Sequence, residues 1–151
     1  MLRVANILTG SAVNGPGSRS VTHFQGCTLA CKGCFNPHTH PATGGTLWDP
    51  TELAEHLAEI TPSGGYTFTG GEPFQQPIDD LARLLARLKK IGTRSVLFYT
   101  GYTMQELQRR IRTADEKCWV TDLIGIEMLL DGSGRRGRRY VNTLGLIDVL
   151  V

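Results

Sequence analysis

The sequence predicts an α/β protein with a mostly parallel β-sheet. Short runs rich in β-branched and aromatic residues, which are typical of strands, alternate with segments whose apolar residues recur at helical spacing. The connections between strands are about a dozen residues or longer, which is the length that a parallel crossover needs. These two observations together favour strand–helix–strand units.

Four strands are predicted from the apolar runs. They cover residues 21–25, 66–69, 95–100 and 123–130. The last run is almost entirely apolar, as expected for a strand that is buried on both faces of a sheet.

Three helices are predicted from periodicity and from their end signals. Asp49 has the side chain of an N-cap and precedes the first helix. Residues 78–91 carry the clearest helical pattern, and Gly92 follows as a stop signal. Thr103 and Glu106 form a capping box that opens the third helix.

Composition limits the classes of protein to consider. The chain has 151 residues, 40% of them hydrophobic and 20% charged, which predicts a single globular domain over residues 1–151. A net charge of +2 gives no global field for nucleic acid, so no direct nucleic-acid partner is expected. We expect no membrane association and a cytoplasmic location, since no apolar run reaches about 20 residues and no signal peptide is apparent.

Three cysteines fall within eight positions of "CTLACKGC". They are Cys27, Cys31 and Cys34, whereas the fourth cysteine, Cys118, is distant and is expected to be a half-buried bystander. His38 would complete a Cys₃His zinc site, and this alternative stays open. The iron–sulfur alternative is favoured, because a cubane cluster takes one thiolate per iron and three cysteines leave one iron free for a ligand.

Four glycine-containing or polar segments follow the predicted strands directly. They are the cysteine loop, "TGGEP" at 69–73, "TGY" at 100–102 and "DG" at 131–132. In parallel α/β sheets, ligands bind at the carboxyl ends of strands, so these segments are expected to form one site. The glycines suit a backbone that approaches a ligand closely.

The cysteine spacing C-x3-C-x2-C resembles the signature of the radical S-adenosylmethionine superfamily, and "TGGEP" resembles its second motif. The resemblance implies a [4Fe-4S] cluster whose open iron binds S-adenosylmethionine. Reductive cleavage of that cofactor then releases a 5′-deoxyadenosyl radical.

A closer resemblance is to the small activating enzymes of glycyl-radical enzymes. It rests on "NGPGSRSVTHFQGC" at 14–27, "LFYTGYTMQEL" at 97–107 and "EMLLDG" at 127–132. The fold that the resemblance implies is an incomplete (β/α) barrel of about four to six mostly parallel strands.

The resemblance also implies the roles of individual residues. Cys27, Cys31 and Cys34 would hold the cluster. The implied contacts of S-adenosylmethionine are Gly33, Cys34 and Phe35 beside the cluster and adenine, with Gly70, Gly71 and Glu72 at the methionyl end.

The implied reaction is removal of a hydrogen atom from a glycine of a large partner glycyl-radical enzyme, namely anaerobic ribonucleoside-triphosphate reductase. A flavodoxin- or ferredoxin-like protein is the implied electron donor. Two alternatives remain: a small radical enzyme that acts on a metabolite or peptide, and a zinc-stapled binding module without enzymatic activity.

The remaining polar residues are expected to have no catalytic role. The four histidines, His23, His38, His40 and His56, are predicted to be surface or loop residues. The arginines of the run 135–139 are predicted to form a solvated basic loop, with docking of a partner as the alternative.

Overall fold

A computed structural model describes residues 1–61, 65–93, 95–113, 139–141 and 147–150. This part of the chain contains seven strands and three α-helices, and each helix lies between two strands in the sequence. The elements are β1 (Leu2–Ser11), β2 (Arg19–Phe24), β3 (Thr46–Trp48), α1 (Pro50–Ile60), β4 (Gly65–Gly70), α2 (Ile78–Ile91), β5 (Ser95–Tyr99), α3 (Met104–Thr113), β6 (Arg139–Val141) and β7 (Ile147–Leu150). No helix among the described residues is both long and apolar enough to span a bilayer.

The strands form one mixed sheet in the order β3-β1-β2-β4-β5-β7-β6. Strands β2, β4, β5 and β7 are parallel neighbours, whereas β1 pairs antiparallel with β2 and β3, and β6 pairs antiparallel with β7. The α/β class is confirmed. Among the described strands the sheet is mixed and not mostly parallel, because β1 pairs antiparallel with both of its neighbours near one edge and β6 pairs antiparallel with β7 at the other.

The local signals identify the helices correctly. The Oδ1 of Asp49 accepts hydrogen bonds from the amides of Thr51 and Glu52 at the start of α1. Gly92 ends α2 with φ +92°, a left-handed conformation that glycine adopts without penalty. The amide of Thr103 donates to the carboxylate of Glu106 at 2.8 Å, as a capping box requires.

The β1 strand and the shortest strands were not predicted. The pairing of β1 with β2 has two register irregularities, between Val4 and Asn6 and between Leu8 and Ser11. Each irregularity breaks the alternation of apolar and polar residues from which strands are recognised. The predicted strand at 123–130, the "DG" segment at 131–132 and Cys118 lie outside the described residues. So do Arg135, Arg136 and Arg138, whereas Arg139 is the first residue of β6.

The core lies between one face of the sheet and the helices α1 and α2. Phe24, Phe68 and Phe98 lie side by side on β2, β4 and β5, with ring centroids 5.8 and 5.0 Å apart. Leucines at helical spacing cover this row; they include Leu53 and Leu57 of α1 and Leu84 and Leu88 of α2, all at most 1% exposed. The packing fixes the relative positions of the three central strands, so the loops at their carboxyl ends start from fixed points.

Arg19 joins the opposite, amino ends of the same strands. Its side chain is only 2% exposed and donates to Thr67 Oγ1 at 2.7 Å, Tyr66 O at 2.7 Å and Ser95 Oγ at 3.0 Å. It also donates to Pro16 O at 3.1 Å, which holds the Gly-Pro-Gly turn. The planar guanidinium can serve these acceptors at once, which a lysine ammonium cannot do in the same geometry.

The turn at 14–17 lies on the sheet face that the helices leave uncovered. Thr67 Oγ1 donates to Asn14 O at 2.8 Å, and a Cβ on Gly15 would lie 2.8 Å from Leu97. Thr67 and Leu97 alternate along their strands with residues of the helix-facing core. The six residues of β2, a length of about 20 Å, separate this turn from the cysteine loop.

We expect Arg19→Lys to lower the free energy of unfolding by about 1.5–3 kcal/mol for each hydrogen bond that is lost, since the donor is a charged group. Buried acceptors on β4 and β5 would be left without a donor. Urea unfolding of the two proteins measures the difference. The matched control is Arg3→Lys, since the Arg3 guanidinium donates to Gly44 O at an exposed position. An equal loss in both variants would contradict the prediction.

Candidate functional site

Two strand-end segments meet directly where β2 and β4 end. The Gly71 amide donates to Phe24 O at 2.8 Å, and the Glu72 amide donates to Gly26 O at 3.0 Å. A Cβ on Gly71 would lie 2.4 Å from Gly26 O, and Gly70 has φ +96°. The Gly-Gly pair is therefore required by the contact between the "TGGEP" segment and the start of the cysteine loop, before any ligand is considered.

The three cysteines of the loop are free thiols that differ in exposure. Cys27 and Cys34 are half-buried and Cys31 is exposed. The Cys27 amide donates to His40 O at 3.0 Å, which closes the base of the loop. The Asn36 amide lies 3.4 Å from Cys34 Sγ and donates to it. Such N–H···S bonds are one of the means by which proteins adjust iron–sulfur clusters.

The loop does not gather its thiols around a single point. Within the described residues, no three cysteine, histidine, aspartate or glutamate side chains lie close enough to share one metal ion. His38 is exposed and the Cys₃His set is not assembled in these residues. Three cysteine thiols within eight residues, one of which accepts a hydrogen bond at its sulfur, form a donor set that fits an iron–sulfur cluster.

Two buried glutamines support the base of the loop, and neither was identified from the sequence. Gln25 Nε2 donates to Pro41 O at 2.8 Å and to His38 O at 3.2 Å. Gln76 Nε2 donates to Gln25 O at 2.9 Å, and Gln76 Oε1 accepts from the Arg3 amide at 2.9 Å. These bonds join the loop to β1 and to the segment after "TGGEP".

Glu72 is buried, with 2% exposure, and its carboxylate points toward the end of β5. Oε1 accepts from the Phe74 amide at 3.0 Å and from Thr100 Oγ1 at 2.8 Å, and Oε2 accepts from the Gly101 amide at 2.9 Å. Burial raises the pKa of Glu72 above its ordinary value, although these three hydrogen bonds and the nearby Arg110 act in the opposite direction.

The sequence could not show this role of Glu72. A carboxylate accepts about four hydrogen bonds, and three of these positions are already used within the protein. Glu72 therefore joins the "TGGEP" and "TGY" segments, which the sequence placed at one edge of the sheet without showing a contact between them.

Gly33 and Phe35 lie on the open side of the cysteine loop. Gly33 has φ +77° with no neighbouring atom where a Cβ would lie, and the Phe35 side chain is 98% exposed. An exposed phenylalanine beside half-buried Cys34 offers an apolar surface to a ligand or partner.

The histidines are only partly as predicted. His38 and His40 lie in the loop, but His56 lies in α1 and stacks on Trp48 at 5.1 Å. His23 lies in β2, where its Nδ1 is buried without a hydrogen-bond partner among the described residues. Burial and, secondarily, His38 lower the pKa of His23 below its ordinary value.

Comparison with known proteins agrees with this geometry. The family described as "4Fe-4S single cluster domain" matches residues 13–138. A pyruvate formate-lyase-activating enzyme of Clostridium pasteurianum is 34% identical over 76% of this chain and 50% of its own length.

Two anaerobic ribonucleoside-triphosphate reductase-activating proteins are also similar. That of Enterobacteria phage T4 is 33% identical over 64% of this chain and 65% of its own length. That of Haemophilus influenzae is 28% identical over 80% of this chain and 76% of its own length.

The chain spans about half the length of the pyruvate formate-lyase-activating enzymes it matches. The family match nevertheless covers most of the chain and includes the cysteine loop and the carboxyl ends of β2, β4 and β5. The resemblance to radical S-adenosylmethionine activating enzymes of glycyl-radical enzymes is thereby confirmed, and the chain belongs to the 4Fe-4S single cluster domain family.

Proposed function

We propose that this protein activates a glycyl-radical enzyme by means of a [4Fe-4S] cluster and S-adenosylmethionine. The observation that carries the proposal is the meeting of the cysteine loop, the Gly70–Gly71 turn and the Thr100–Tyr102 segment at one edge of the sheet. When bound, the cluster and S-adenosylmethionine supply the one-electron chemistry that removes a hydrogen atom from a glycine of the partner.

The chain's own residues bind and orient these groups. Cys27, Cys31 and Cys34 would hold the cluster, and Gly33 and Phe35, on the open side of the loop, would contact the adenine. Gly70 and Gly71 would hold the methionyl end with their backbone, whose path beside His23 and Gly26 leaves no room for a side chain at either position. Glu72 acts mainly by fixing the turn, with one remaining acceptor position for the methionyl ammonium.

The incomplete (β/α) barrel is part of the proposal. The parallel neighbours β2, β4, β5 and β7 form its wall, and α1 and α2 cover the outer face. The site then lies at the carboxyl ends of the wall, as in other α/β folds.

Anaerobic ribonucleoside-triphosphate reductase is the partner we favour. The chain covers 65% and 76% of the two reductase-activating proteins but 50% of the Clostridium pasteurianum enzyme. Similarity to these two reductase-activating proteins supports the reductase as the partner. A flavodoxin- or ferredoxin-like protein is the proposed electron donor, with the exposed cysteine loop as its access to the cluster.

Single replacement of Cys27, Cys31 or Cys34 by Ala is expected to abolish cluster binding, because each thiolate binds a separate iron. Iron and sulfide analysis of anaerobically purified protein measures the loss. Cys118→Ala and His38→Ala are the controls and are expected to keep their iron. If His38→Ala emptied the site as fully as Cys34→Ala, a Cys₃His zinc site would replace the cluster.

Glu72→Gln is expected to lower the free energy of unfolding by about 1.5–3 kcal/mol and to weaken S-adenosylmethionine binding while the cluster is retained. The amide places a donor where the carboxylate now accepts from three groups. Urea unfolding and cofactor titration of the cluster-loaded protein test the two effects. Glu106→Gln, which removes a capping carboxylate on α3, is the control and should leave cofactor affinity unchanged. Unchanged affinity in Glu72→Gln would remove Glu72 from the cofactor site.

Replacement of Arg135, Arg136 and Arg138 together by Ser is expected to slow activation of the reductase, since a run of positive charges would steer association with an acidic partner surface. Arg139 is left in place because it begins β6. Cleavage of S-adenosylmethionine without the partner should stay near the wild-type rate, and added salt should reduce the difference in activation. Equal loss of both activities would place the arginines in the fold or the cofactor site instead.

A further inference from the structure

Gln75 makes hydrogen bonds to two separate segments of the site. Its Oε1 accepts from the Thr28 amide at 2.9 Å, while its Nε2 donates to Thr28 Oγ1 at 2.9 Å and to Tyr102 Oη at 2.6 Å. Thr28 directly follows Cys27, and Tyr102 follows the end of β5. One amide group therefore joins the cysteine loop to the end of the neighbouring strand.

The next residue of the loop is also held. Leu29 packs against Gly101, where a Cβ would lie 2.6 Å from Leu29 Cδ1. The Gly101 amide is itself bound by Glu72. Tyr102, the other partner of Gln75, is 5% exposed with the Arg110 guanidinium 4.2 Å above its ring. Thr28 and Leu29 are therefore held by groups that other residues hold in turn. Glu72 binds the Gly101 amide, and Arg110 packs on the Tyr102 ring.

The chain changes direction immediately after this held pair. Ala30 has φ +47°, the positive value that L-residues other than glycine rarely adopt. Such a conformation persists where surrounding contacts impose it. Beyond it, Cys31 is exposed, and the hydrogen bonds found around Cys34 are local to the loop.

We propose that Gln75 is a positioning residue for the first cluster ligand. By holding Thr28, it fixes Cys27 relative to the Gly70–Gly71 turn and imposes the turn at Ala30 from which Cys31 and Cys34 reach the cluster. This inference rests on the proposed function in one respect, that these three cysteines hold a [4Fe-4S] cluster.

The test compares Gln75→Met with Gln75→Glu in anaerobically reconstituted, full-length protein. Methionine has similar length but makes none of the three hydrogen bonds. Iron loss to a ferrous chelator is expected to be about 10–100-fold faster, as for loss of an outer-shell partner of a metal ligand. The change in the electron paramagnetic resonance spectrum of the reduced cluster on adding S-adenosylmethionine should also be diminished.

Gln75→Glu is expected to restore both properties. A carboxylate accepts from the Thr28 amide, and the hydroxyls of Thr28 and Tyr102 can turn to donate to it. Its added negative charge should make the reduction potential of the cluster more negative, an effect that Gln75→Met should not share.

Arg19→Lys is the matched control, since it lowers stability at the opposite end of β2. It should leave iron loss and the spectral response to S-adenosylmethionine at wild-type values. The proposal is overturned if Gln75→Met behaves as wild type, if Gln75→Glu fails as Gln75→Met does, or if Arg19→Lys reproduces the defect.

Failure of the proposed function gives a different pattern. Wild-type protein that binds the cluster without cleaving S-adenosylmethionine would refute the activity, while the iron-loss comparison would still decide the role of Gln75. Wild-type protein that contains zinc and no iron would refute both.

Discussion

The site depends on one buried carboxylate. Glu72 receives hydrogen bonds from the amides of Phe74 and Gly101 and from the hydroxyl of Thr100, and so joins the ends of β4 and β5. A buried carboxylate is stable only if its oxygens are bonded, and these donors meet that need. Because Leu29 of the cysteine loop packs against Gly101, the Glu72 carboxylate also helps to position that loop.

A buried cation has the corresponding role at the other end of the same strands. Arg19 binds groups on β4 and β5 and the carbonyl of Pro16. Between these two charged side chains, the row of phenylalanines packs beneath the helices. The central strands are therefore fixed at both ends by directional bonds and in the middle by apolar packing.

The cysteine loop combines held and exposed parts. Its base is bound by Gln25 and Gln76, and its first half is held through Gln75, whereas Cys31 and Phe35 face solvent. This arrangement suits the proposed function, in which the loop would keep a cluster in place and admit both a cofactor and a segment of a large partner.

Local chemistry was readable from the sequence. The helices α1, α2 and α3 follow from caps, periodicity and the stop at Gly92, because these signals act between residues close in the chain. The grouping of the cysteine loop with Gly70–Gly71 and with Thr100–Tyr102 follows from the rule for parallel strands.

Only the tertiary structure decided what the polar side chains bind. The hydrogen bonds of Arg19 to Ser95, of Glu72 to Gly101 and of Gln75 to Tyr102 join residues 76, 29 and 27 positions apart, and no spacing or composition encodes such pairings. The strand β1 was not predicted for a related reason. Its bulges break the alternation of apolar and polar residues, and its place in the sheet is set by pairing with β2 and β3 and not by its own pattern.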